Sequence, residues 1–285
     1  MSPSLEIVVR VGCYTVVFAG MALWEWFAPR RRLGVGRQPR WANNLGILAI
    51  DIITVRLLVP TTAVGVALIA SERGWGLFPI LGLPYWGTLV GGVIALDFVI
   101  YIQHRLFHYV PALWRLHRMH HADLDIDVTT GVRFHPLEIL LSLAIKIAAV
   151  AALGVPAMAV LTFEVLLNAT SMFNHSNVAI SPQLERIARW IVVTPQMHQV
   201  HHSIERAETD SNFGFNLPWW DRLLGTYCPR PTAGEDRMVV GLPIFRDVAE
   251  LNIIRLLTQP FRNNATRGVD VAISAGRQRS KSTPE

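Results

Sequence analysis

Ten histidines carry the chemical interest of this sequence of 285 residues, and all ten fall between positions 104 and 202. Eight of them form three boxes: His104-x3-His108, His117-x2-His120-His121 and His198-x2-His201-His202. On an α-helix, residues i, i+3 and i+4 share one side of the cylinder, so each box projects two or three imidazoles in one direction. Imidazole is a good ligand for zinc, iron, copper and nickel. So many ligands exceed what one ion can use; they suit two ions, with about four or five ligands each. The other two histidines are less committed. His135 sits in Arg133-Phe134-His135-Pro136-Leu137-Glu138 and His175 in Asn174-His175-Ser176-Asn177, and each is either a ligand or a support for one. Asp97, Tyr101, His104 and His108 are spaced 4, 3 and 4, on one face of a helix. Metal-bound histidines commonly donate their second N–H to a carboxylate, so Asp97 could orient a histidine from another box. The plainer reading of Asp97 is a polar residue near a membrane boundary.

The elements that must position these residues are apolar helices. The chain is 51% hydrophobic and 16% charged, with a mean hydropathy of +0.33, whereas soluble domains carry about 25% charge. Three stretches read as transmembrane helices: roughly Ile7–Trp26, Leu45–Ala70 with a kink at Pro60, and Pro79–Gln103. A further stretch, Leu137–Phe173, is broken by Gly154-Val155-Pro156 and reads as a helical hairpin that spans or re-enters the membrane. The fold class is therefore an all-α integral membrane protein, with about four to five membrane-embedded helices and a cytosolic, histidine-rich helical cap. Residues 1–262 read as one catalytic domain and 263–285 as a disordered polar tail.

Charge orients the chain. Arg30, Arg31, Arg32, Arg37 and Arg40 crowd the loop 28–44, whereas the loop near 71–78 balances Arg73 against Glu72. The positive-inside rule puts the first loop in the cytosol. The N-terminus is then outside, and the histidine boxes and C-terminus are cytosolic. The first helix is not a signal peptide, because its positive charges follow the apolar run. The net charge of +5 and pI of about 9.7 favour anionic lipid over nucleic acid, since the basic residues flank apolar stretches. Cys13 and Cys228 suggest neither a disulfide framework nor a zinc knuckle. Ser181-Pro182 reads as a helix N-terminus. The apolar Leu184, Ile187, Ala188 and Ile191 that follow fit either a helix lying in the membrane interface or an ordinary amphipathic core helix.

Several runs resemble the fatty acid hydroxylase / sterol desaturase superfamily. They are Asp97-x3-Tyr101-x2-His104-Arg105-x2-His108, His117-x2-His120-His121, His135-Pro136-x-Glu138, Thr194-Pro195-x2-His198-x2-His201-His202, Asn212-Phe213-Gly214, and Trp220-Asp221-Arg222 through Tyr227. The resemblance covers about residues 90–228 and is nearest to the sterol desaturase-like branch, whose substrates are mixed. It implies a membrane-bound, non-haem di-iron enzyme that uses O2 and two electrons to hydroxylate or desaturate a lipid. It implies the ten histidines as ligands, with Asp97, Tyr101, Glu138, Asn174 and Asp221 as supporting residues. Two Fe ions, replaceable by Zn on isolation, and O2 as co-substrate follow from it.

The chain has no dinucleotide-binding glycine motif, haem motif or ferredoxin cysteine set. The electrons must then come from a separate carrier: cytochrome b5-like, or ferredoxin-type with an NAD(P)H reductase, docking on a basic face. A membrane metal transporter or store, or a zinc-dependent membrane hydrolase, is the alternative. The boxes lie after or between the spans, which argues against transport.

Overall fold

The computed structural model describes residues 3–263. These residues are overwhelmingly helical. Among them there is no β-strand, only two isolated bridges, Pro29 with Val178 and Ser203 with Val240. Five helical stretches are long and apolar enough to cross a membrane: Ser4–Phe27, Gln38–Glu72, Tyr85–Tyr109, Pro136–Leu153 and Ala157–His175. This is the all-α membrane architecture expected from the sequence, with the hairpin contributing two of the five. The tail expected from Asn263 onward lies, beyond that residue, outside the described residues.

Prolines set most of the boundaries. Helix α1 is Pro3–Phe27. The second apolar stretch is not one kinked helix but two, α2 (Gln38–Leu58) and α3 (Ala63–Glu72). Pro60 drives Val59 into extended backbone, because the proline ring clashes with a helical preceding residue. Thr62 then starts α3 by accepting from Gly65 N at 3.1 Å. The third stretch is shifted along the chain. Pro79 belongs to a short helix, α4 (Leu77–Leu81), closed by Gly82 at φ 61°. The long helix α5 runs from Tyr85 to Tyr109 and so includes His104 and His108. Pro111 starts α6 (Pro111–His121) immediately afterwards.

The hairpin is α7 (Pro136–Leu153) and α8 (Ala157–His175), turned at Gly154 with φ 66°. A Cβ at Gly154 would lie 2.4 Å from Trp75 O, so only glycine lets this turn meet the α3–α4 connection. The main apolar core lies between α3, α5, α7 and α8, around Leu96, Val150, Val160 and Phe163, and α1 packs along α8. Beyond α8 the chain forms the short helices α9 (Pro182–Ala188), α10 (Pro195–His201), α11 (Arg206–Thr209), α12 (Trp219–Leu223) and α13 (Ile253–Thr258).

Candidate metal centre

Nine of the ten histidines converge at one end of the helical bundle. His104 and His108 come from the last turns of α5, His117, His120 and His121 from α6, His175 from the end of α8, and His198, His201 and His202 from α10 and its C-cap. They divide into two groups, in each of which one ring nitrogen per residue lies within 4.8 Å of all the others: His104, His108, His117, His121 and His201; and His120, His175, His198 and His202. All nine are buried. The boxes do not each serve one group. In the second box His117 and His121 join the first group and His120 the second; in the third, His198 and His202 join the second group and His201 the first. At about 100° per residue, i and i+4 are only about 40° apart, while i+3 points about 100° away from i+4. One helix can therefore feed both groups.

Hydrogen bonds to Nδ1 orient the rings. His104 donates to Phe213 O at 2.8 Å, His201 to Ser211 O at 2.7 Å, His120 to Arg133 O at 3.2 Å and His175 to Ser171 O at 2.7 Å. His117 donates to Glu138 Oε1 at 2.6 Å and His108 to Asp210 Oδ1 at 3.2 Å. With the proton on Nδ1, each Nε2 presents a lone pair. Yet His104 Nε2 lies 3.1 Å from His117 Nε2, and His120 Nε2 lies 3.0 Å from His175 Nε2. Facing lone pairs at that distance repel unless a cation stands between them. His108 Nε2, His201 Nε2 and both ring nitrogens of His202 have no hydrogen-bond partner. An unpaired buried nitrogen is costly, and a metal ion removes the cost. Burial pushes the His117 ring down to about 3, and burial followed by neighbouring imidazoles holds His120, His121, His198, His201 and His202 well below the usual histidine range. Neutral imidazole is the form that ligates. The donor set fits two ions that accept nitrogen ligands.

His135 stands apart from both groups. Its Nδ1 accepts from Leu137 N at 3.2 Å and its Nε2 donates to Leu257 O at 3.1 Å, so it caps α7 and ties it to α13. Of the residues expected to support ligands, Glu138 touches a histidine directly. Asp97 touches none: it accepts from Asn216 Nδ2 at 2.9 Å, Leu217 N at 3.3 Å and Trp220 Nε1 at 2.8 Å. Asp221 accepts from the Phe213 and Gly214 amides, both at 2.8 Å, and so holds the carbonyl that orients His104. Burial raises Asp221 to about 6 against those hydrogen bonds. Tyr101 OH meets Thr226 Oγ1 at 2.8 Å, and Asn174 donates to Phe215 O at 3.2 Å.

Sequence reasoning did not find Asp210, which has no spacing relation to any box, or the backbone carbonyls, which carry no residue-type signal. It also missed the buried network behind His120. There Arg40 donates to Asp123 through Nε at 2.7 Å and Nη2 at 2.8 Å and pairs with Asp127, while Arg133 Nη1 lies 3.3 Å from Asp123. This network ties α2 to the loop whose Arg133 carbonyl receives His120. Burial alone would raise the Asp123 carboxyl, but the two guanidiniums hold it well below the ordinary carboxylate range.

Residues 89–226 match the family model described as fatty acid hydroxylase. The chain is 31% identical over 183 residues to ornithine lipid hydroxylase OlsE of Rhizobium tropici, covering 64% of this chain and 52% of that one. It is 30% identical over 174 residues to alkylglycerol monooxygenase of Homo sapiens, covering 59% and 36%, and 30% identical over 165 residues to very-long-chain aldehyde decarbonylase GL1-1 of Oryza sativa subsp. indica, covering 52% and 26%. The chain spans about half the length or less of these curated relatives. No solved structure matches it.

Proposed function

With residues 89–226 a fatty acid hydroxylase domain of the fatty acid hydroxylase / sterol desaturase superfamily, we propose that this membrane protein oxidises a lipid with O2 at two histidine-held iron ions. The observation that carries this reading is the pair of buried all-imidazole groups at the end of the spanning helices, with Nε2 lone pairs facing one another. His104, His108, His117, His121 and His201 hold one ion; His120, His175, His198 and His202 hold the other. Paired iron supplies the oxidising power needed to break an unactivated C–H bond. Hydroxylation consumes O2, two electrons and two protons per lipid and releases water. The names of the hydroxylase and monooxygenase relatives support insertion of one oxygen atom ahead of desaturation.

The protein's own contribution is orientation and exclusion of water. The Nδ1 hydrogen bonds of His104, His108, His117, His120, His175 and His201 lock those six rings so that Nε2 points inward. Phe134 stacks on His120 with centroids 4.4 Å apart, and Phe215 lies 5.0 Å from His104 and 5.9 Å from His198. Both rings join the main apolar core, so an apolar wall faces the groups from the membrane side, where a lipid chain would approach. His135 anchors α7 and is not a ligand in this reading. The catalytic domain is residues 1–262, with the histidine groups and C-terminus cytosolic and the N-terminus outside. The electrons come from a cytochrome b5-like or ferredoxin-type carrier. The test is oxygen uptake by purified protein loaded with iron, given a chemical or protein reductant and lipids extracted from its own membrane. Uptake that depends on lipid, with a product heavier by one oxygen atom, is expected. Loaded protein that consumes no O2 with any lipid fraction would overturn the proposal.

A further inference from the structure

Helix α9 is built inside out. Of its charged residues Glu185 and Arg186, only Arg186 is exposed; Glu185 is buried, accepting from Arg189 Nε at 2.6 Å and Thr194 Oγ1 at 2.5 Å. Its apolar Leu184 and Ile187 are 55% and 61% exposed. A core helix would bury the apolar pair and expose the glutamate. Trp190 and Ile191 continue the exposed strip. On α12, Trp219 and Leu223 are exposed as well, and Leu224 follows. The two segments form one surface. Trp219 Nε1 donates to Trp190 O at 2.8 Å, and the Arg222 guanidinium lies 4.0 Å from the centroids of both Trp190 and Tyr227. So large a contiguous apolar patch marks a surface that something covers.

Three observations identify the cover as lipid. The first is depth. Trp220, on α12, donates to Asp97 and packs against Phe98 with centroids 4.8 Å apart. Asp97 lies seven residues before His104 on α5, about 10 Å nearer the membrane interior along the helix. Phe98 is an exposed side chain of a spanning helix, so α12 sits beside a lipid-facing surface. The second is the rim. Arg186 and Arg222 border the patch, Arg189 being paired with Glu185, and the two acids in residues 181–191 and 217–224, Glu185 and Asp221, are both buried. A cationic border with no exposed acid suits lipid phosphates. The third is composition: Trp190 and Trp219 are exposed, and outward tryptophans are typical of the membrane–water boundary.

We infer that residues 184–191 and 219–224 form a single foot immersed in the headgroup region of the bilayer, in the leaflet nearest the histidine groups. The chain continues from this foot into α10, which carries His198 and His201, and α12 carries Asp221, which holds the Phe213 carbonyl against His104. The foot therefore sets the metal groups at a fixed height above the lipid. The inference needs the spanning helices but not the oxidation chemistry.

Site-directed spin labelling tests it. The full chain, with Cys13→Ser and Cys228→Ser, is placed in nanodiscs of phosphatidylcholine and phosphatidylglycerol. A nitroxide is attached at Ile187→Cys or Leu223→Cys, and, as references, at Leu57→Cys in a span and Arg237→Cys on an exposed loop. Apolar oxygen should relax the labels at 187 and 223 in preference to a water-soluble nickel chelate, by a ratio several-fold above that at 237 and approaching that at 57. A ratio equal to that at 237 would show a water-facing surface and overturn the inference. Protection from both reagents would show that a second copy or a protein partner covers the patch, which would overturn it as well.

Discussion

Lys146 on α7 and Glu164 on α8 face each other across the hairpin, Nζ against Oε1. The turn at Gly154 makes this pairing, because it sets residues at similar distances on either side at the same depth. Arg10 of α1 joins from the other side, donating to Glu164 Oε2 at 2.6 Å and to Glu6 at 2.9 Å. Charges at membrane depth persist when paired. Here one carboxylate serves two cations from two helices, which makes the two partners unequal. Glu164→Gln strands Lys146 and leaves Arg10 with Glu6 alone, and should cost about 3–5 kcal/mol, the usual range for breaking a buried pair. Lys146→Met leaves Arg10 on Glu164 and should cost less than half of that. The double variant should recover part of the Glu164→Gln loss. Denaturant unfolding of the four proteins measures this; equal and additive losses would contradict the shared-carboxylate arrangement.

The crossing of the histidine boxes makes metal content a sharper readout than activity. His120→Ala removes a ligand from the group of four, and His201→Ala from the group of five. Each should abolish turnover while leaving membrane insertion intact. Iron per chain should fall from about two toward about one in each, measured by elemental analysis after loading. Retention of two ions, or of turnover, would argue against the assigned grouping.

Among the described residues Glu138 is the carboxylate buried against a ring of the two groups, 2.6 Å from His117 Nδ1. Glu138→Ala should weaken metal binding by about 10–100-fold, the range for such outer partners. Competition with a chelator gives the number. Asp210→Ala should cost less, because its bond to His108 is longer at 3.2 Å and it is shared with Arg206.

The metal-stripped protein should lose stability as pH falls from about 7 to 5. His117, His120, His121, His198, His201 and His202 are held below the ordinary histidine value in the folded state. The unfolded chain then binds protons first, below about pH 6.5. The contribution is fully present above that pH and is lost below it, by up to about 1.4 kcal/mol per pH unit for each ring. Asp123, displaced in the carboxylate direction, adds nothing over this window; its contribution is lost only at pH values below about 4. Unfolding midpoints of stripped and loaded protein across pH 5 to 8 test the sign. A flat profile for the stripped protein would contradict it.

Sequence alone determined that this is a helical membrane protein whose histidines have the spacing of metal ligands. Apolar runs of spanning length and the 3.6-residue period are local properties, legible wherever they occur, and so was the hairpin turn at Gly154-Val155-Pro156. The helix break beside Pro60 was legible as a signal but not as a boundary. Tertiary structure decided the rest. His120 and His201 fall in the group opposite their own box companions because i+3 points about 100° away from i+4 on a helix, and which group each side meets is set by packing between segments distant in sequence. His175 enters and His135 stays out because α8 ends at the groups while α7 begins with a cap against α13. Asp97 supports the loop at Trp220, and Asp210 and four backbone carbonyls do the orienting that a sequence search assigns to nearby acids. Ring orientation depends on which oxygen reaches Nδ1, and that follows from packing between segments up to about a hundred residues apart.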